Sequence, residues 1–131
     1  MCVNNKRILN SSIYSLYVLR LMSEKFYIGK SQNIEKRISD HFINRGAEWT
    51  KLYKPLEVIE IIKNVDNFEE DKKVKQYMLK YGIESVRGGT YSKINLSKNE
   101  IFFIKKELYT AMDMCFNCGS TEHFISKCDK K

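Results

Sequence analysis

The sequence predicts an α+β fold, a small sandwich with a short antiparallel sheet flanked by helices, followed by a cysteine-rich mini-domain. Three observations predict it. Between residues 13 and 112 the apolar spacing switches repeatedly between strand alternation and the helical period. Apolar residues at 43% and charged residues at 30% make an ordinary globular mixture, unlike a disordered chain. Of the four cysteines, Cys115, Cys118 and Cys128 crowd the last 17 residues, far from Cys2.

The elements follow in order. Ile13 to Met22 alternates like a strand, with Ile13, Ser15, Tyr17 and Leu19 on one face and Tyr14, Leu16, Val18 and Arg20 on the other. Ser23-Glu24-Lys25 reads as a hairpin turn, and Phe26 to Gly29 as the returning strand. Asn33 caps a first helix that Gly46 should stop. After Pro55, the β-branched run Leu56 to Ile62 predicts a buried strand. A second helix covers about Asn67 to Tyr81, ended by Gly82, and Val86 to Tyr91 is a short strand or an irregular loop. Ser97-Lys98-Asn99-Glu100 is a capping box that opens a third helix to about Met112. These boundaries divide the chain into 12–92, a helical connection at 97–112 and a tail at 113–131.

With 131 residues the chain suits one compact domain and an appendage. Its 23 basic residues against 16 acidic ones leave +7, which favours a polyanionic partner through counterion release. No apolar run is long enough to cross a bilayer, and Met1 to Asn10 lacks the apolar segment of a signal peptide. The expected compartment is intracellular, cytoplasm or nucleus. In that reducing setting, crowded cysteines argue for metal rather than disulfides.

The tail spells C-x2-C-x4-H-x4-C through Cys115, Cys118, His123 and Cys128. Three thiolates and an imidazole meet the tetrahedral preference of Zn2+, and the metal would supply the folding energy so short a segment lacks. The pattern resembles the zinc knuckle of retroviral nucleocapsids, with Glu122 where that pattern usually has glycine. The resemblance implies that Phe116 and Phe124 face unpaired bases; the alternative is packing within the mini-domain.

The first part carries a second constellation. Tyr27-Ile28-Gly29 lies ten residues after Tyr17, which ends the degenerate triplet Ser15-Leu16-Tyr17. Arg37 follows Gly29 by eight residues, His41 follows Arg37 by four, and Glu70 stands on the next long helix. In these residues the chain resembles the GIY-YIG nuclease family over about residues 12–92. The resemblance implies an endonuclease with Tyr17, Tyr27, Arg37, His41 and Glu70 as its catalytic residues, and one Mg2+ or Mn2+ on Glu70. Tyr17 would serve as base or hold it, Tyr27 would orient water or phosphate, and Arg37 would stabilise the transition state. His41 would support the nucleophile or the leaving group. Joined to a knuckle, the domain resembles small proteins of large DNA viruses or mobile elements, so a virus-encoded source acting in a host cell is an expectation.

Elementary chemistry points the same way. Phosphodiester cleavage needs a base for water, a divalent ion and a cation for developing charge. Arg37 and His41 form an i, i+4 pair bordering the apolar stripe Ile34, Ile38 and Phe42. On the next helix Glu70 aligns with the stripe Val74, Tyr77, Met78 and Tyr81, whereas Glu69 and Asp71 fall to either side toward solvent. A carboxylate on a core-facing line needs a partner, and a divalent cation is one. Lys30, Lys51, Lys54 and Arg87 are candidate phosphate contacts, with Trp49 and Tyr53 interleaved among the cations; core packing of Trp49 is the competing reading. DNA is favoured over RNA as the partner. Two other classes stay open: a nuclease-like module that binds nucleic acid without cleaving it, and a zinc-stabilised interaction adaptor.

Overall fold

The structure, a computed structural model, describes residues 13–113. Strand β1 (Ser15–Leu21) runs through a single-turn 3-10 helix, Met22–Glu24, into β2 (Lys25–Ser31). Helices α1 (Ile34–Phe42) and α2 (Glu48–Leu52) follow, then β3 (Pro55–Ile62), α3 (Glu69–Tyr81), β4 (Val86–Gly88) and α4 (Lys98–Ala111). By contact the chain divides into two compact units, one ending at Ile94 and one starting at Asn95. The strands and α1 to α3 belong to the first. In the second, α4 opens on the expected capping box, with Ser97 and Glu100 each bonded to the other's backbone amide.

The sheet runs β3-β1-β2-β4. β1 pairs antiparallel with β2 and β3, but β4 pairs parallel with β2, so the sheet is mixed and not purely antiparallel as expected. The reason is connection: the chain regains the sheet beside β2 only after crossing it through β3 and α3. β1 lies at the centre, and both its faces are buried, with Leu16, Tyr17, Val18, Leu19 and Leu21 all shielded. One face packs Tyr17, Leu19, Leu21 and Tyr27 with Trp49, and Ile34 and Ile38 of α1 lie against them. On the other, Phe26 stacks on Tyr81 of α3 at 4.2 Å between ring centres.

Three expectations change. β3 is an edge strand, so Leu56, Ile59 and Ile61 are exposed where a buried strand was predicted. α1 ends at Phe42, well short of Gly46. The chain instead turns into a helix the sequence did not announce, α2, which carries Trp49 and Thr50 into the interior.

Candidate active site

Strand alternation puts Tyr17 and Tyr27 on one face of the sheet, on neighbouring strands, their ring centres 6.3 Å apart. Tyr17 pairs directly with Gly29 across the strands. A Cβ at position 29 would overlap the Tyr17 phenol, so only glycine lets the ring lie flat over β2. α1 then covers this face. Its amphipathic spacing turns Arg37 and His41 toward the two tyrosines, and His41 is fully buried with its ring 4.9 Å from Tyr27 and 5.5 Å from Tyr17.

The Tyr17 hydroxyl and His41 Nε2 are hydrogen-bonded at 2.7 Å. On the far edge of the imidazole, Nδ1 lies 2.8 Å from Thr50 Oγ1 on α2. Gly46 lies flat against that same edge, where a Cβ would overlap Nδ1. Thus Gly46 serves close approach rather than helix termination. The Arg37 charge acts on both tyrosine hydroxyls and favours their ionised forms.

Burial is the main influence on Tyr17, Tyr27, His41 and Glu70. It pushes both phenols above their ordinary range, with the Arg37 charge pulling the other way. Burial first, and the Arg37 charge second, hold the His41 imidazole down to about 4, against the opposing pull of Asp40. The resting pair is therefore a neutral phenol beside a neutral imidazole.

Glu70 sits in the first turn of α3, half-buried, and its charge is felt at both Tyr17 and Tyr27. Burial raises its pKa, whereas the Lys30 ammonium and the nearby Lys30 backbone amide favour the charged form. The neighbouring acids do other work. Glu69 reaches Lys72 at 3.9 Å on the surface. Asp71 lies on the solvent side but is held there, its two oxygens accepting from the Thr90 amide at 2.9 Å and the Thr90 hydroxyl at 2.6 Å. Those bonds tie α3 to the loop after β4. Among the described residues no three His, Cys, Asp or Glu side chains cluster as a metal cage.

Several candidate contacts stand apart from this centre. Lys30 is close, its ammonium 5.1 Å from the Tyr14 ring centre. Lys54 is exposed next to Pro55, which pairs with Leu21, four positions along β1 from Tyr17. That puts it at the hairpin end of the sheet, about 13 Å along the strand. Lys51 is exposed on α2 and pairs with Glu48 at 3.4 Å. Arg87 reverses its expected role: it is 1% exposed and does not face a phosphate backbone. Its guanidinium donates to the carbonyls of Ile83, Val86, Lys93 and Ile94 and lies 4.7 Å from the Trp49 ring centre. Trp49 is core, donating its indole N–H to the Phe26 carbonyl at 3.0 Å. Cys115, Phe116, Cys118, His123, Phe124 and Cys128 lie outside the described residues.

Sequence alone offers no reason to single out Thr50, and it marks Gly46 only as a helix stop. His41 meets them only because the chain doubles back through α2, and no short spacing rule connects a histidine to a threonine nine residues on.

The model of the GIY-YIG catalytic domain matches residues 12–77, half of the 131-residue chain. The chain belongs to the GIY-YIG family. Among curated proteins, this GIY-YIG chain is 35% identical over 48 residues to a UPF0213 protein of Neisseria meningitidis serogroup A, covering 37% of this chain and 53% of the relative. It thus spans about half the length of that relative. A UPF0213 protein of Bacillus cereus is 29% identical over 98 residues, 75% of this chain and 88% of the relative. The UvrABC system protein C of Fusobacterium nucleatum is 27% identical over 96 residues, 69% of this chain but 16% of that much longer protein. No solved structure matches. Among the described residues, no helix is long and apolar enough to cross a membrane.

Proposed function

We propose that this GIY-YIG domain is a metal-dependent endonuclease acting on DNA, assisted by a C-terminal zinc knuckle. The observation that carries the reading is the 2.7 Å contact between Tyr17 and His41 with Arg37 beside it and the Glu70 charge within reach. Hydrolysis needs a path for the proton of the attacking water. Tyr17 takes that proton on its phenolic oxygen while passing its own to His41 Nε2, so no isolated phenolate forms in the buried site. Arg37 binds the phosphate, and Tyr27 orients it. A phosphodiester on Arg37 also neutralises the charge that, after burial, does most to depress His41. Substrate binding therefore strengthens the proton acceptor.

Glu70 fits a hard divalent ion. It is a half-buried carboxylate at a helix start, and Mg2+ commonly takes one or two carboxylates together with water and substrate oxygens. Such an ion, when bound, would stabilise charge on the phosphate and the leaving oxygen. Lys30 favours the charged form of Glu70 that such an ion would bind, against the upward push of burial. In the tail, Cys115, Cys118, His123 and Cys128 would hold one Zn2+, with Phe116 and Phe124 stacking on unpaired bases.

Supercoiled-plasmid nicking with Mg2+, with EDTA, and with Tyr17→Phe tests the reading. Cleavage that needs the metal and is lost in the variant supports it. Binding without any cleavage would leave a nucleic-acid carrier in its place. Neither binding nor cleavage would favour the adaptor.

A further inference from the structure

We infer that Thr50 is the positioning residue that fixes the tautomer of His41, and so decides that Nε2 is a proton acceptor facing Tyr17. The inference rests on reading Tyr17 and His41 as the proton relay, though its central claim concerns only where one proton sits.

Thr50 is 1% exposed, and its hydroxyl has two neighbours: the Ala47 carbonyl at 3.0 Å and His41 Nδ1 at 2.8 Å. A hydroxyl has a single proton. A carbonyl oxygen can only accept, so the bond to Ala47 uses that proton. Toward His41 the same oxygen then offers only a lone pair, and Nδ1 must carry the hydrogen. A neutral imidazole has one N–H, and His41 is held neutral by its surroundings. Nε2 is consequently bare, and the Tyr17 hydroxyl must donate to it. The chain of donation runs one way, from Tyr17 to Nε2 and from Nδ1 to Thr50 to Ala47.

Two features keep it so. The Thr50–Ala47 bond is the local i, i−3 bond of a threonine in the first turn of α2, made without help from the site. Gly46 is pressed against the Nδ1 edge closely enough that a methyl group would overlap it, leaving little space for a water to replace the hydroxyl. With the opposite tautomer, Nε2–H would point at the Tyr17 oxygen. The lone pair needed by the incoming water would be occupied, and the relay would have no acceptor.

The test is nitrogen-15 NMR of the imidazoles in the full chain, which has two histidines, His41 and His123, distinguished by His41→Gln. At neutral pH the wild-type His41 signals should show a protonated Nδ1 and a bare Nε2. Thr50→Val, which keeps the shape and removes the oxygen, should shift them toward the protonated-Nε2 form or a mixture. Thr50→Ser should restore the wild-type pattern. In the nicking assay kcat should fall about a hundredfold in Thr50→Val with KM little changed, and recover in Thr50→Ser. Nε2–H in the wild type overturns the inference, as does an unchanged tautomer in a folded Thr50→Val. A chain that cleaves nothing, yet has the Nδ1–H tautomer lost in Thr50→Val, overturns the nuclease reading and leaves the tautomer assignment standing.

Discussion

Tyr17 and Gly29 face each other across β1 and β2, and the Tyr17 phenol fills the volume any side chain at position 29 would need. Gly29→Ala should therefore push the ring away from His41 while leaving the strands paired. Displacing a reacting group by about 1 Å is enough for a rate loss of about a hundredfold. The nicking rate at saturating substrate checks this, with circular dichroism to establish that the sheet persists. Activity near wild type would mean that Tyr17 need not lie against His41.

Glu70→Ala should abolish metal-dependent turnover while keeping substrate affinity equal or higher, since it removes a negative charge from the site. Glu69→Ala, on the surface beside Lys72, should retain most activity. Asp71→Ala should lose stability of about 1–2 kcal/mol with the two Thr90 bonds, measured by urea unfolding. A dead Glu69→Ala beside an active Glu70→Ala would reverse the assignment of the carboxylate.

Arg87→Ala should act on folding rather than on binding. Removing a buried guanidinium strands four carbonyls and uncovers the Trp49 ring, at a cost of about 3–5 kcal/mol. The salt dependence of DNA affinity should stay the same in whatever fraction folds. A slope reduced by about one, with little change in stability, would return Arg87 to the phosphate backbone.

Stability should depend on pH through His41. Its folded pKa, about 4, lies below the ordinary 6.5, so between those values the unfolded chain binds more protons. Stability is accordingly whole above pH 6.5 and falls as pH drops toward 4, by on the order of 3 kcal/mol from this group. His41→Gln should flatten that segment of the urea-denaturation profile. An equally steep profile in the variant would assign the loss to carboxylates.

Deleting residues 113–131 should remove one bound zinc and weaken binding to gapped or single-stranded DNA, while turnover at saturation is kept. Residues 1–92 hold 16 basic and 11 acidic residues, a net +5, whereas 105–131 hold 5 and 4, a net +1. The salt slope should therefore change little, and the loss should reflect stacking of about 1–3 kcal/mol per base. Metal analysis of Cys118→Ser checks the ligand set independently. Loss of turnover in the truncation would make the tail part of the active site.

The sequence by itself determined the elements whose signals are local. The capping box at Ser97 and Glu100, the α3 stripe through Val74 and Met78, and the alternation that puts Tyr17 and Leu19 on one face all follow from short-range stereochemistry. Arg37 and His41 could be chosen through the family resemblance in their spacing from Gly29, and Glu70 over its neighbours because helical periodicity aligns it with the α3 stripe. Tertiary structure alone decided what depends on the chain returning from a distance. The path of α2 brings Thr50 and Gly46 to His41, and the parallel entry of β4 turns Arg87 inward among carbonyls. The same return ties Asp71 to Thr90, and sheet order leaves β3 at an edge. A basic residue in a sequence is equally suited to a phosphate or to four backbone oxygens. Burial, which no local pattern encodes for a lone arginine, selects between them.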